Sequence, residues 1–226
     1  EATVRQFIGR GGKGLNVTLP FKLEACQLSG VLTERARAAD AVNTLTFRDG
    51  QIQGDNTDGV GLVRDIVDNL DVRIQGKRLL LLGAGGASRG VIAPLLAEQP
   101  AALAIANRTA VKAETLAAQF ADIAPVEGGD FGRYAGRNFD VVINATSSSL
   151  SGQSLPLPGG VFAAGALAYD MMYGKGETPF LQLAREQGAW RCADGLGMLV
   201  EQAAEAFFVW RAVRPVTGQV LADLRA

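Results

Sequence analysis

The chain has 226 residues, 48% of them hydrophobic, and a formal net charge of −1, enough apolar material for one domain or two small ones. Lys and Arg are spread along it and no apolar run approaches the roughly 20 residues of a membrane helix, which excludes a nucleic-acid face, a polybasic membrane patch and a transmembrane span. Histidine is absent, so Ser-His-Asp hydrolysis, His-ligated metals and histidine acid-base catalysis are excluded, and proton transfer falls to Lys, Asp, Glu, Tyr or Cys.

The chain starts at Glu1 inside what reads as a helix ending near Ile8, so a preceding segment is expected; Gly9 to Gly14 is a glycine-rich loop. Leu15 to Leu19 alternates like a strand, and Pro20 ends it. Phe21 to Ser29 and Thr33 to Ala39 read as short helices, the second capped by Thr33. Ala41 to Phe47 and Gln51 to Gly54 flank Asp49-Gly50, a strong hairpin signal. Asn56-Thr57-Asp58 caps a helix to about Leu70, with Val60, Leu62, Val63, Ile66, Val67 and Leu70 inward.

From Gly76 strands and helices alternate. Strands are expected at Leu79 to Leu82, Leu103 to Ala106, Asp140 to Asn144 and Ala166 to Tyr169, with Ala189 to Cys192 extended; helices at Ala87 to Glu98, Thr109 to Phe120, Pro179 to Gln187, Leu196 to Val213 and Val220 to Arg225. This pattern predicts an α/β fold, a Rossmann-type doubly wound parallel sheet joined to a smaller α/β unit. Residues 1–64 form the smaller unit, 65–197 the nucleotide-binding unit, and the helices of 198–226 return to the first. Cys26 and Cys192 are single and far apart, which excludes a disulfide framework, fits a reducing cytoplasm and reads as two small buried hydrophobes. The sequence specifies no oligomeric state; a homodimer is allowed.

The leucine run breaks into Gly83-Ala84-Gly85-Gly86-Ala87-Ser88, placing the N-terminus of a helix beside a loop without bulky side chains. That is a seat for the pyrophosphate of a dinucleotide, although the third fingerprint position is Ser88; the other reading is a turn that only packs a helix on a strand. At the end of the next strand, where a free ribose 2′-hydroxyl would call for a carboxylate, stand Asn107-Arg108-Thr109 and then Lys112. A guanidinium there favours the 2′-phosphate of NADP over NAD, the alternative being a solvated arginine beside a helix cap. Asn144 to Ser149 offers small polar residues at another strand end, either for a nucleotide or as a turn. In the first unit Lys22 follows Pro20-Phe21, whose apolar wall would suit an acid or base, and Asp58 either caps its helix or orients the lysine.

Asn16-Val17-Thr18-x-Pro20-Phe21-Lys22, Ala41-Val42-Asn43-Thr44 and Gly54-Asp55-Asn56-Thr57-Asp58-Gly59 stand in the first unit. They are followed by Gly83 to Gly90, Asn107-Arg108-Thr109-x-x-Lys112, Asn144-Ala145-Thr146-Ser147, Tyr169-Asp170-Met171-x-Tyr173 and Asp194-Gly195-x-Gly197-Met198-Leu199-x-x-Gln202. In order and over essentially the whole chain these motifs resemble the shikimate dehydrogenase family. The resemblance implies NADPH-dependent reduction of 3-dehydroshikimate to shikimate in aromatic amino-acid biosynthesis, with no metal. It implies Lys22 and Asp58 as the catalytic pair, and Thr18, Asn43, Tyr173 and Gln202 at the substrate. The cofactor would be held by Gly83, Ala84, Gly85, Gly86, Ala87 and Ser88, by Asn107, Arg108, Thr109 and Lys112, and by Thr146, Ser147, Met171 and Gly195. Family members begin with a strand and a helix whose Ser-x-Ser hydroxyls bind the substrate carboxylate, and this sequence does not contain that segment. The alternatives are a quinate/shikimate dehydrogenase using NAD, or an inactive nucleotide-binding fragment.

Overall fold

The computed structural model describes residues 1–18, 20–148 and 155–226; the expectations that fall on Leu19 and Ser149 lie outside them. A four-stranded sheet is formed by β1 (Gly14–Asn16), β2 (Val31–Leu32), β3 (Thr44–Arg48) and β4 (Gln51–Asp55), in the order β1-β3-β4-β2. The β3-β4 hairpin turns at Asp49 (φ 53°) and Gly50 (φ 72°), as the Asp-Gly pair predicts. Helices α1 (Ala2–Gly9), α2 (Lys22–Leu28) and α3 (Glu34–Ala39) accompany this sheet, and Thr33 caps α3 by accepting from the Ala36 N–H.

A parallel six-stranded sheet follows, in the order β10-β9-β8-β5-β6-β7. Its strands are β5 (Arg78–Leu82), β6 (Ala102–Ala106), β7 (Val126–Gly129), β8 (Phe139–Asn144), β9 (Phe162–Asp170) and β10 (Arg191–Ala193). The remaining helices are α4 (Asp58–Arg64), α5 (Gly86–Ala97), α6 (Ala110–Ala118), α7 (Pro179–Glu186), α8 (Leu196–Arg211) and α9 (Gly218–Arg225). The four leucines of β5 are fully buried and alternate between the two faces. Leu79 and Leu81 join Leu62, Ile66 and Leu95 on one face, and Leu80 and Leu82 join Phe131, Phe180 and Leu181 on the other. Burial on both faces is why the run shows no polar alternation. At about 1.5–3 kcal/mol for each fully buried leucine, β5 is a strong apolar anchor of this sheet. The chain adds β6 and β7 on one side of β5 and then crosses to add β8, so the topological switch lies at the C-terminal ends of β5 and β8.

Four expectations need correction. The helix from Asp58 is α-helical only to Arg64 and continues as a π turn, Asp65–Asn69, in which the Leu70 N–H donates to the Asp65 carbonyl; Asp65 is held there by Tyr169 and Asn69. Two strands, β2 and β7, have no strand pattern in sequence. In β7 the Val-Glu-Gly-Gly run is glycine-rich because α6 lies against it, and a Cβ on Gly128 would sit 2.3 Å from the Ala113 backbone. Phe21 is 54% exposed and forms no apolar wall beside Lys22. Cys26 and Cys192 are half-buried rather than core residues, and burial pushes both thiols up. Among the described residues no helix is long and apolar enough to cross a membrane.

Candidate active site

Lys22 opens α2 and Asp58 opens α4, 36 residues apart in sequence. Their side chains meet, with Lys22 Nζ donating to Asp58 Oδ2 at 2.6 Å. Two backbone bonds and one to a side chain bring them together: the Val42 N–H donates to the Lys22 carbonyl, the Asn43 N–H to the Asp55 carbonyl, and the Asp58 N–H to the Asn56 side-chain Oδ1. The lysine side chain is 21% exposed and the carboxylate 5%, so the pair is sheltered on one side and open to a ligand on the other.

Asn43 organises the floor of this cluster. Its Oδ1 accepts from the Thr57 N–H at 2.9 Å. Its Nδ2 lies 3.0 Å from Thr57 Oγ1, 2.9 Å from Asp58 Oδ1 and 3.0 Å from Gln202 Oε1. A primary amide carries two hydrogens, so three acceptors around one nitrogen leave one available to a donor such as a ligand hydroxyl. Gln202 comes from α8, and two glycines let the helices close in. A Cβ on Gly61 would stand 2.7 Å from the Gln202 nitrogen, and one on Gly59 would stand 2.4 Å from the Gly90 carbonyl oxygen of α5. The start of α4 therefore carries Asp58 against both α8 and the helix that leaves the glycine turn.

That turn is built from backbone. Gly83 has φ +108°, a conformation that L side chains rarely adopt, and a Cβ there would lie 3.1 Å from Thr146 Cγ2. At Gly85 and Gly86 an added Cβ would meet nothing within 4 Å, so open space surrounds the N-terminus of α5. Ala84 and Ala87 are half-buried beside it. Ser88 is fully buried, and its hydroxyl has no hydrogen-bond partner among the described residues. A cradle without side chains, the positive end of a twelve-residue helix and an orphaned hydroxyl fit a dinucleotide diphosphate.

Next to the turn, the Gly83 N–H donates to the Ala106 carbonyl, which ties it to the end of β6. Asn107 spans the loop beyond, donating from Nδ2 to the Thr109 carbonyl. Thr109 starts α6 without using its hydroxyl as a cap, and Arg108, Thr109 and Lys112 are exposed. On the other side, Asn144 Oδ1 accepts from the Thr146 N–H and hydroxyl, while Ser147 is exposed. The half-buried Met171 donates its N–H to the Asn144 carbonyl, and a Cβ on Gly195 would lie 2.3 Å from the Met171 carbonyl oxygen.

The structure thus joins Lys22, Asp58, Asn43 and Gln202 directly, and gathers the glycine turn, the Arg108 loop, Thr146 and Met171 at the switch of the parallel sheet. Thr18 and Tyr173 are exposed, and no side-chain hydrogen bond joins them to the cluster among the described residues. Sequence reasoning missed Thr57, which bonds Asn43 through both backbone and hydroxyl; the Asn-Thr-Asp run marks it only as a cap. A cavity of about 660 Å³ lies elsewhere, at the hairpin end of β3 beside Trp210 and Arg211. Arg48 there is about 14 Å from Thr44 along a strand rising about 3.4 Å per residue, so it is separate from the Lys22 cluster.

The chain matches a family model described as Shikimate / quinate 5-dehydrogenase over residues 62–151, and one described as Shikimate dehydrogenase substrate binding domain over residues 1–45. It is 70% identical over 225 residues to a Laribacter hongkongensis protein named shikimate dehydrogenase (NADP(+)), which covers 100% of this chain and 82% of that protein. A protein of the same name from Dechloromonas aromatica is 70% identical over 223 residues, 99% of this chain and 81% of its own length. Among solved structures, an Ael1 enzyme from Pseudomonas putida has a TM-score of 0.93 at 52% identity, covering 99% of this chain and 82% of its own. The shikimate 5-dehydrogenase of Thermus thermophilus, solved in complex with NADP(H) and shikimate, has a TM-score of 0.84 at 28% identity, covering 99% and 82%.

Proposed function

This chain belongs to the shikimate dehydrogenase family, and from that premise we propose that it reduces 3-dehydroshikimate to shikimate with NADPH. The observation that carries the reading is the Lys22-Asp58 pair, wired through Asn43 to Gln202 and packed through Gly59 against the helix of the glycine turn. On this reading residues 1–64 are the substrate unit, residues 65–197 the NADP unit, and residues 198–226 complete the substrate unit by contributing Gln202.

When bound, the nicotinamide cofactor supplies the hydride that reduces the ketone carbon. Lys22 gives a proton to the ketone oxygen, so the carbonyl becomes a hydroxyl, and the partly exposed amine regains its proton from solvent. Asp58 holds the ammonium at the reacting oxygen. Asn43 and Gln202 pair with the hydroxyls of the substrate, aided by the spare acceptor at the Asn43 nitrogen. Thr18 and Tyr173 complete the pocket wall. The backbone of Gly83 to Ala87 and the Ser88 hydroxyl hold the diphosphate; Asn107, Arg108, Thr109 and Lys112 hold the 2′-phosphate; Thr146, Ser147, Met171 and Gly195 border the ribose and nicotinamide.

Purified protein given shikimate and NADP+ should produce reduced nicotinamide, read by its absorbance. Arg108→Ala should lower kcat/KM for NADPH by about 10- to 150-fold, the worth of a charge-assisted hydrogen bond of about 1.5–3 kcal/mol, and leave kcat/KM for NADH unchanged. Equal use of both cofactors by the unmodified protein would replace this reading with an NAD-using quinate/shikimate dehydrogenase.

A further inference from the structure

A second polar network lies behind the Lys22 cluster and touches neither Lys22 nor Asp58. Its centre is Arg35 of α3. The guanidinium grips Asp55 with two bonds, Nε to Oδ1 at 2.6 Å and Nη2 to Oδ2 at 2.7 Å, and reaches with Nη1 to Glu205 Oε1 at 2.8 Å. Asp55 ends β4 and Glu205 lies on α8, 150 residues later by numbering (205 − 55). Both carboxylates are buried, at 4% and 6% exposure. Burial opposes their charge, but hydrogen bonds from Arg35 and Thr33 to Asp55, and from Arg214 and Arg35 to Glu205, outweigh it and hold both below the usual carboxylate range.

Each end of this grip leads to a substrate-facing residue. Asp55 Oδ1 accepts the Asn56 N–H at 2.7 Å, its carbonyl accepts the Asn43 N–H, and the chain then turns through Asn56 and Thr57 into Asp58. Glu205 sits one helical turn after Gln202, on a helix whose rotation decides whether the Gln202 amide faces Asn43. We propose that Arg35 is a positioning residue that clamps the turn carrying Asp58 to the helix carrying Gln202 and so sets the width of the substrate pocket. The proposal rests on the reading above that these two residues face the substrate. A planar fork with fixed donors suits the task, because it meets two carboxylates at set angles where an ammonium would serve one at a time.

The test separates clamping from general support of the fold. Arg35→Met keeps the stem and removes the fork. Its KM for shikimate should rise about tenfold or more, because small misplacements of binding groups weaken the productive complex steeply, while its KM for NADP+ stays within about twofold. Arg35→Lys should recover only part of the loss. Glu205→Gln cuts the charge on the helix side alone and should raise the shikimate KM by a smaller factor, again with the NADP+ KM unchanged; it decides the question if Arg35→Met does not fold. A folded Arg35→Met protein with an unchanged shikimate KM overturns the clamp, and so does an equal rise in both KM values, which would mean general loosening. Unmodified protein that leaves shikimate unreacted removes the functional reading and the clamp together, whereas its turnover beside an indifferent Arg35→Met protein removes the clamp alone.

Discussion

Around Asp58 the polar side chains are buried and held by one another, whereas at Gly85 and Gly86, just beyond Gly83, no side chain intrudes and the backbone itself is presented. In the first region Asn43, Thr57, Asp58 and Asp55 are all at most 4% exposed, and each has named partners. In the second, an added Cβ at Gly85 or Gly86 would touch nothing, and Arg108 and Lys112 stand in solvent. The physical reason lies in what each could hold. A sugar-like substrate needs hydroxyl partners at fixed points, and a buried network fixes them because leaving any member unpaired costs about 1–3 kcal/mol. A diphosphate is recognised by N–H groups and a helix dipole, which need close approach and no obstruction. The polar cluster is therefore sensitive to a side chain removed, and the glycine turn to a side chain added.

The largest expected effect breaks the first region. Lys22→Ala should lower kcat by about 10²- to 10⁴-fold, the usual contribution of a general acid, with little change in the KM for NADPH. Steady-state kinetics checks it, and an unchanged kcat would remove Lys22 from the chemistry. The converse change breaks the second region by adding a single methyl. Gly83→Ala forces a side chain onto φ +108° and into contact with Thr146, a strain of about 1–3 kcal/mol. The KM for NADPH should rise by roughly 5- to 150-fold while kcat at saturating cofactor stays close to that of the unmodified protein. A Gly83→Ala protein whose kcat falls and whose cofactor KM holds would contradict the division of labour.

The smallest effect concerns pH and sharpens the comparison. Asp55 and Glu205 have folded-state pKa values below their ordinary values of 3.8 and 4.5. A carboxylate depressed on folding adds stability that is present above its unfolded value and is lost as pH falls through the folded one. The Tm should therefore hold from neutral pH to about 4.5 and then drop on further acidification. Glu205→Gln should show a shallower drop over that window. Arg108→Ala, changed at an exposed position beside the glycine turn, should follow the unmodified curve. Thermal unfolding across the acid range reads all three.

Much of the fold is visible in the residues. A leucine run bounded by charge and glycine names a strand buried on two faces, and Asp49-Gly50 names a hairpin that the positive φ angles confirm. The alternation beyond Gly76 names a parallel sheet. What escapes has a tertiary cause: β7 is a strand of Val-Glu-Gly-Gly because α6 leaves room only for glycine at position 128, and the helix from Asp58 loosens into a π turn where Tyr169 and Asn69 hold Asp65. The same holds at the candidate site. The residue types and the pairing of Lys22 with Asp58 are readable, but Phe21 does not wall in Lys22. Glu201 and Glu205, four apart on the largely apolar α8, are the signal by which Arg64 and Arg35 could have been sought, since buried carboxylates require cations.

By itself, then, the sequence determined the strand, turn and helix around Gly83, the hairpin, and the choice of an arginine at the end of β6, because hydrophobic period, glycine conformation and charge act within a few residues. The pairing of Lys22 with Asp58 was expected from the motifs and is seen across 36 residues; only the tertiary structure decided that Asn43 meets Gln202 across 159 and Arg35 meets Glu205 across 170. No local pattern encodes those meetings. They depend on how closely helices approach, and Gly59 and Gly61, which admit α5 and α8 against the start of α4, permit them by having no side chain at all.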